Sequence, residues 1–202
     1  MDKIKIKNLQ KTYKNTQVLN IDNFSFKEGY SYLLLGENGS GKSTLIKIIL
    51  SLVKSNQGKV SGNFTSTGYL PEHVYLPSFL TVKEFLKTIG KIRNVENLNS
   101  KISTALRLWN LNNNKLLSHL SKGMVQKLMI IQALIHNPDL LIFDEPLNGL
   151  DIKSQDIFKN IINNIRSKEK TIIITTHFAK HYENLYDKLL YIHEGKINEK
   201  SI

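Results

Sequence analysis

Apolar and polar positions alternate over residues 3–9 and again over 18–26, with turn-forming residues between them. Alternation of period two is the mark of a half-buried strand, so these segments are predicted to pair as an antiparallel edge sheet. The pattern then changes. "YSYLLLG" (30–36) is an unbroken apolar run that ends on glycine, as in a strand buried on both faces, and "KSTLIKIILSLV" (42–53) spaces its apolar residues as a helix does. Strand, glycine-rich loop and helix in that order form the opening βα unit of an α/β domain.

From about 81 to 136 the periodicity is almost wholly helical. "TVKE" has the form of a capping box, "KISTALRLWNL" is amphipathic, and Ser121 stands where an N-cap belongs, ahead of an apolar helix running to about His136. "DLLIFDEP" and "KTIIITTH" read as short buried strands separated by a helical stretch at 151–167, and "KLLYIHEGKI" as a hairpin turning at Glu194 and Gly195. The alternation predicts an α/β fold with a mixed sheet, an N-terminal antiparallel β-subdomain and a helical insertion at about 73–136. No internal repeat, low-complexity linker or charged tail divides the sequence, so residues 1–202 are expected to form one domain.

Charge changes this picture little. A net charge of +11 would ordinarily point to nucleic acid or an anionic surface, but 25 of the 28 basic residues are lysines, scattered along the chain, and only three are arginines. Direct nucleic-acid binding is not expected. The absence of cysteine excludes disulfides and thiolate metal sites and fits a reducing cytosol. The longest apolar runs, such as "LMII" and "LLIF", fall far short of a membrane span, so a soluble chain is expected, reaching any membrane through a partner.

The chemistry concentrates in a few stretches. "GENGSGKST" carries Gly36, Asn38, Gly39, Ser40, Gly41, Lys42, Ser43 and Thr44 between the predicted strand and helix. Glycines let the backbone curl until successive amides converge on phosphate oxygens, Lys42 adds a cation for the terminal phosphates, and the Ser43 hydroxyl suits Mg²⁺. "LLIFDEP" brings Asp144 and Glu145 to a strand end. Neighbouring strand residues point to opposite sides, so different roles are expected: Asp144 toward Mg²⁺, Glu145 as the base that polarises an attacking water. The helix start at Ser121 is a second potential anion site, because helix N-termini present free amides and the positive end of the dipole.

Taken in chain order, the P-loop at 36–44, "LSKGM" at 120–124, "LLIFDEPLNGLD" at 140–151 and His177 after the next strand resemble the ATP-binding cassette (ABC) ATPases. The resemblance covers essentially the whole chain and implies a P-loop NTPase core that binds ATP and Mg²⁺. It further implies head-to-tail dimers with a second cassette, identical or different, in which Ser121 and Gly123 of one chain face the ATP held by the other. Tyr13 matches the aromatic that stacks on adenine, with Val18 beside it. His177 matches the histidine that contacts the γ-phosphate, and Asp151 the aspartate that communicates across the dimer. Two positions depart from the family pattern. Glu72, in "GYLPEH", stands where glutamine is usual, a carboxylate that also suits Mg²⁺, and "LSKGM" has Lys122 and Met124 in place of the usual glycine and glutamine. The variants are similar to those of export-type cassettes. The implied function is ATP hydrolysis driving separate transmembrane permease subunits from the cytoplasmic face of the membrane. The alternative is a soluble ABC ATPase acting on nucleic acid or ribosomes, but its usual marks, a long coiled-coil insertion or a second cassette, are not seen. No NKxD motif supports a P-loop GTPase.

Overall fold

The computed structural model describes residues 1–166 and 170–200. Strands β1 (Asp2–Tyr13) and β2 (Thr16–Lys27) pair antiparallel, and β4 (Gln57–Gly62) joins the other side of β1 to complete a three-stranded sheet in the order β2-β1-β4. Strands β3 (Ser31–Leu35), β5 (Thr67–Leu70), β6 (Leu140–Asp144), β7 (Thr171–Thr176), β8 (Lys188–His193) and β9 (Lys196–Lys200) form the second sheet in the order β5-β6-β7-β3-β8-β9. Its first five members are parallel, and β9 folds back antiparallel on β8, giving the expected hairpin at Glu194–Gly195.

The unbroken apolar strands follow from burial on both faces. Along β3, β6 and β7, residues Leu33, Leu35, Leu141, Phe143, Ile172 and Ile174 enter a core shared with the helices, while Leu34, Leu140, Ile142 and Ile173 enter a second core beneath the antiparallel sheet. Helix α1 (Lys42–Ile49) packs in this second core through Leu45, Ile46, Ile48 and Ile49. Helices α2 (Val82–Ile92), α3 (Leu98–Leu108), α4 (Lys122–Leu134) and α5 (Ile152–Arg166) contribute to the first. Because the parallel strands run in register, their carboxyl ends line up at one edge: Leu35 lies beside Thr176, Asp144 beside Thr175 and Leu70 beside Phe143. Crevices outside such an edge are where open α/β sheets bind ligands.

Several predicted boundaries shift for local reasons. Helix α1 stops at Ile49, although apolar spacing continues to Val53. Ser51 takes a left-handed φ of 59°, Ser51 N donates to Ile48 O at 3.0 Å and Leu52 N to Lys47 O at 2.8 Å, a Schellman ending. The 81–136 stretch is interrupted between α3 and α4, where the α-helical expectation gives way to an irregular segment and a 3₁₀ turn at Leu117–His119. Asparagine side chains compete with helical backbone bonding here: Asn112 Oδ1 accepts from Asn114 N at 2.9 Å. The segment in turn serves α2, whose first amides, Val82 N and Lys83 N, donate to Lys115 O and Asn113 O at 3.0 Å each. The predicted capping box at Thr81 and Glu84 and the Ser121 N-cap are both formed. The predicted end of the helix at 167 lies outside the described residues.

Candidate functional site

The loop from Gly36 to Gly41 leaves the carboxyl end of β3 and turns into α1. Gly41 has a φ of 105°, and a Cβ there would come within 2.9 Å of Val18 O, so only glycine lets the loop pass under the antiparallel sheet. Gly36 is fixed by close approach, because a Cβ would meet Ser40 Oγ at 2.5 Å and Ile192 O at 2.7 Å. The loop forms one wall of a cleft of about 540 Å³, contributing Asn38, Gly39, Gly41, Lys42, Ser43 and Thr44. Tyr13 and Val18 of the antiparallel sheet, Glu72 following β5, Asp144 and Glu145 at the end of β6, and His177 after β7 complete the lining. Twelve residues named from the sequence thus meet at one edge of the sheet. Gly36 and Ser40 lie behind this lining, shaping the loop.

Lys42 is buried, and its Nζ donates to Gly36 O at 2.6 Å and Glu37 O at 3.0 Å. An ammonium group has three donors, so one is left for a ligand in the cleft. Burial pushes its pKa down, while Glu145, Asp144 and Glu72, in that order, oppose the shift.

Asp144 and Glu145 do not separate as strand alternation predicts; both open onto the cleft. The strand ends at Asp144, and Glu145 turns through a left-handed φ of 51°, which re-aims its side chain. The two carboxylates then diverge through their partners. Asp144 Oδ1 accepts from the Thr175 hydroxyl, whereas Glu145 Oε2 accepts from Thr176 Oγ1 at 3.0 Å and Oε1 lies 2.6 Å from His177 Nδ1. A buried carboxylate with one edge held by a hydroxyl and the other by an imidazole is oriented for proton transfer.

The remaining sequence-named residues lie away from the cleft. Ser121 is exposed, and its Oγ caps α4 by accepting from Met124 N at 3.4 Å. A Cβ on Gly123 would lie 2.5 Å from Gly149 O, so α4 packs tightly on the segment that follows Glu145. Asp151 caps α5, accepting from Ser154 N and Oγ at 2.8 Å each, and pairs with Lys127 at 3.1 Å. Those Ser154 bonds, with Lys127 beside them, bring its carboxyl down to about 2.

Residues 19–148 match the ABC transporter family. This chain belongs to that family. It is 36% identical over 201 residues to an ABC transporter ATP-binding protein of Methanocaldococcus jannaschii, covering 96% of this chain and 75% of that protein. It is 34% identical over 204 residues to the lantibiotic transport ATP-binding protein SrtF of Streptococcus pyogenes, covering 96% and 88%. Among solved structures, a dimeric post-hydrolysis state of an ATP-binding cassette bound to ADP and phosphate superposes with a TM-score of 0.85, at 26% identity and 98% coverage of both chains.

Three residues of this ABC cassette escape sequence reasoning. Thr175 and Thr176 read only as the polar end of an apolar strand, yet their hydroxyls bind Asp144 and Glu145. Gln126 is buried in α4, with its Nε2 3.2 Å from Glu145 O and 2.9 Å from Pro146 O. The available signal was an uncharged polar residue at a core-facing position of an apolar helix. Buried amides of that kind find partners.

Proposed function

We propose that this chain is the nucleotide-binding, ATP-hydrolysing subunit of an ABC transporter, acting as one cassette over residues 1–202. A second cassette, identical or different, pairs with it head to tail around ATP, and separate permease subunits hold the pair at the cytoplasmic face of the membrane. The helical insertion at about 73–136 is the surface that meets those permeases. A relative named for Nod factor export, 32% identical over 208 residues, supports export as the direction. Among the described residues no helix is long and apolar enough to cross a membrane. The observation that carries the reading is the convergence of Lys42, Asp144, Glu145 and His177 in one cleft, while the α4 N-terminus stands outside it.

ATP lies with its adenine against Tyr13 and Val18 and its phosphates in the amides of the 36–44 loop, with Lys42 on the terminal phosphates. Glu145 takes the proton of the attacking water as its oxygen bonds to the γ-phosphorus, the bond from that phosphorus to the β–γ bridging oxygen breaks so that ADP leaves with the electron pair, and His177 holds Glu145 and faces the γ-phosphate. Ser43, Asp144 and Glu72 offer an all-oxygen donor set in the same cleft. This suits Mg²⁺, which takes one or two protein oxygens together with phosphates and water and would neutralise the developing phosphate charge. Ser121 and Gly123 present the α4 N-terminus to the partner's ATP, with Asp151 at the shared boundary.

Replacing Lys42 by Ala removes the cation aimed at the terminal phosphates. ATP affinity, measured by titration calorimetry, is expected to fall roughly 10- to 100-fold, the value of a charge-assisted hydrogen bond in a buried site. Wild-type affinity would remove the cleft from nucleotide binding.

A further inference from the structure

Helix α4, whose N-terminus stands outside the cleft, is bonded directly to the main chain of Glu145 inside it. Gln126 uses both of its amide hydrogens on successive carbonyls, Glu145 O and Pro146 O. Glu145 needs such support, since its φ of 51° lies in a region that residues with a side chain seldom occupy. Its own N–H donates to Thr175 O at 3.1 Å, so β7 holds one side of the residue and α4 the other. The same helix face makes two more attachments to this segment. Gly123 packs against Gly149 O, and Lys127 pairs with Asp151. Positions 123, 126 and 127 are spaced i, i+3, i+4, one stripe of a helix, and together they seat residues 145–151 on the first two turns of α4.

We propose that Gln126 is a positioning residue for Glu145: it makes the aim of the base depend on the seat of α4. The helix that meets the partner's ATP thereby sets the geometry of hydrolysis in the cleft of its own chain. The inference rests on the reading of Glu145 as the base. The residue type fits the task. Glutamine supplies two neutral donors on one planar group, whereas lysine or arginine would place a charge beside Glu145, asparagine is one methylene short, and methionine has the volume without the donors.

Gln126→Met in the full chain tests this through steady-state ATPase kinetics and direct ATP binding. A base displaced by a fraction of an ångström loses turnover and leaves nucleotide affinity alone, so kcat is expected to fall about 10- to 100-fold while KM and the ATP dissociation constant stay within about twofold. Gln126→Asn retains the amide at shorter reach and is expected to recover part of kcat. Wild-type kcat in Gln126→Met would overturn the proposal, as would parallel loss of turnover, ATP affinity and melting temperature, or failure of both variants to fold. Glu145→Gln separates the two layers. If that variant is inactive and Gln126→Met is fully active, only the positioning role falls; if Glu145→Gln hydrolyses ATP normally, the base assignment itself falls.

Discussion

Glu72 is the residue at which this cassette departs most consequentially from the family pattern. It lines the cleft with Asp144 and Glu145, so three carboxylates face one buried lysine, Lys42. A carboxylate holds a hard divalent cation more firmly than an amide oxygen. Glu72→Gln is therefore expected to leave ATP affinity nearly unchanged and to move the Mg²⁺ midpoint of hydrolysis upward several-fold, read from Mg²⁺ titrations of the ATPase rate. An unchanged midpoint would separate Glu72 from the metal. At this scale the sequence was legible where a residue type has one evident use, as for the P-loop glycines and Lys42. It was silent where the use depends on a neighbour brought in by folding. Thr175, Thr176 and Gln126 gain their roles only once β7 and α4 lie beside the end of β6. The left-handed turn at Glu145 likewise left no trace in a stretch that reads as strand.

Among the elements, those with a strong period were foreseen and those that borrow their partners were not. β3, β6 and β7 announce themselves as apolar runs, because two cores bury them from both sides. β4, "QGKVSG", has one half-buried apolar residue and exists as a strand because β1 offers it a ladder. The two sheets are pinned by a charged contact that patterning does not show. Lys3, buried on β1, reaches Asp139 at 2.9 Å and Glu28 at 3.2 Å, while Asp139 also accepts from the amides of Thr65 and Ser66. Burial raises the Asp139 pKa, but Lys3 and the two amides outweigh it and bring the carboxyl to about 2. A carboxylate whose folded pKa lies below its unfolded value of 3.8 contributes stability above that value, and the contribution is lost as pH falls through about 2. Lys3→Met should lower unfolding free energy at neutral pH by roughly 2 kcal/mol, the worth of a charged hydrogen bond with a half-shielded partner. The gap from wild type should narrow as pH drops below about 4. Urea midpoints from pH 7 to pH 3 would show it, and a gap independent of pH would assign the loss to packing.

At the scale of the whole molecule, the chain places the P-loop cleft, the proposed nucleotide site, apart from the exposed start of α4, with Gln126 and the 145–151 segment joining the two internally. On the proposed reading, such a chain offers each ATP half of its surroundings and a second cassette offers the other half, so the proposed functional unit is a pair with ATP between. Glu145→Gln tests chemistry and architecture together. The substitution keeps size and hydrogen bonding to Thr176 but takes no proton, so hydrolysis should fall roughly 10²- to 10⁴-fold while ATP still binds. With ATP unspent, the pair should not reopen. The decisive measurement is light scattering of Glu145→Gln with ATP and Mg²⁺, with ADP and without nucleotide, alone and with candidate partner cassettes. Twice the monomer mass is expected with ATP only, as a pair closed around unspent ATP requires. Monomer under every condition and with every partner, or wild-type hydrolysis by the variant, would contradict it.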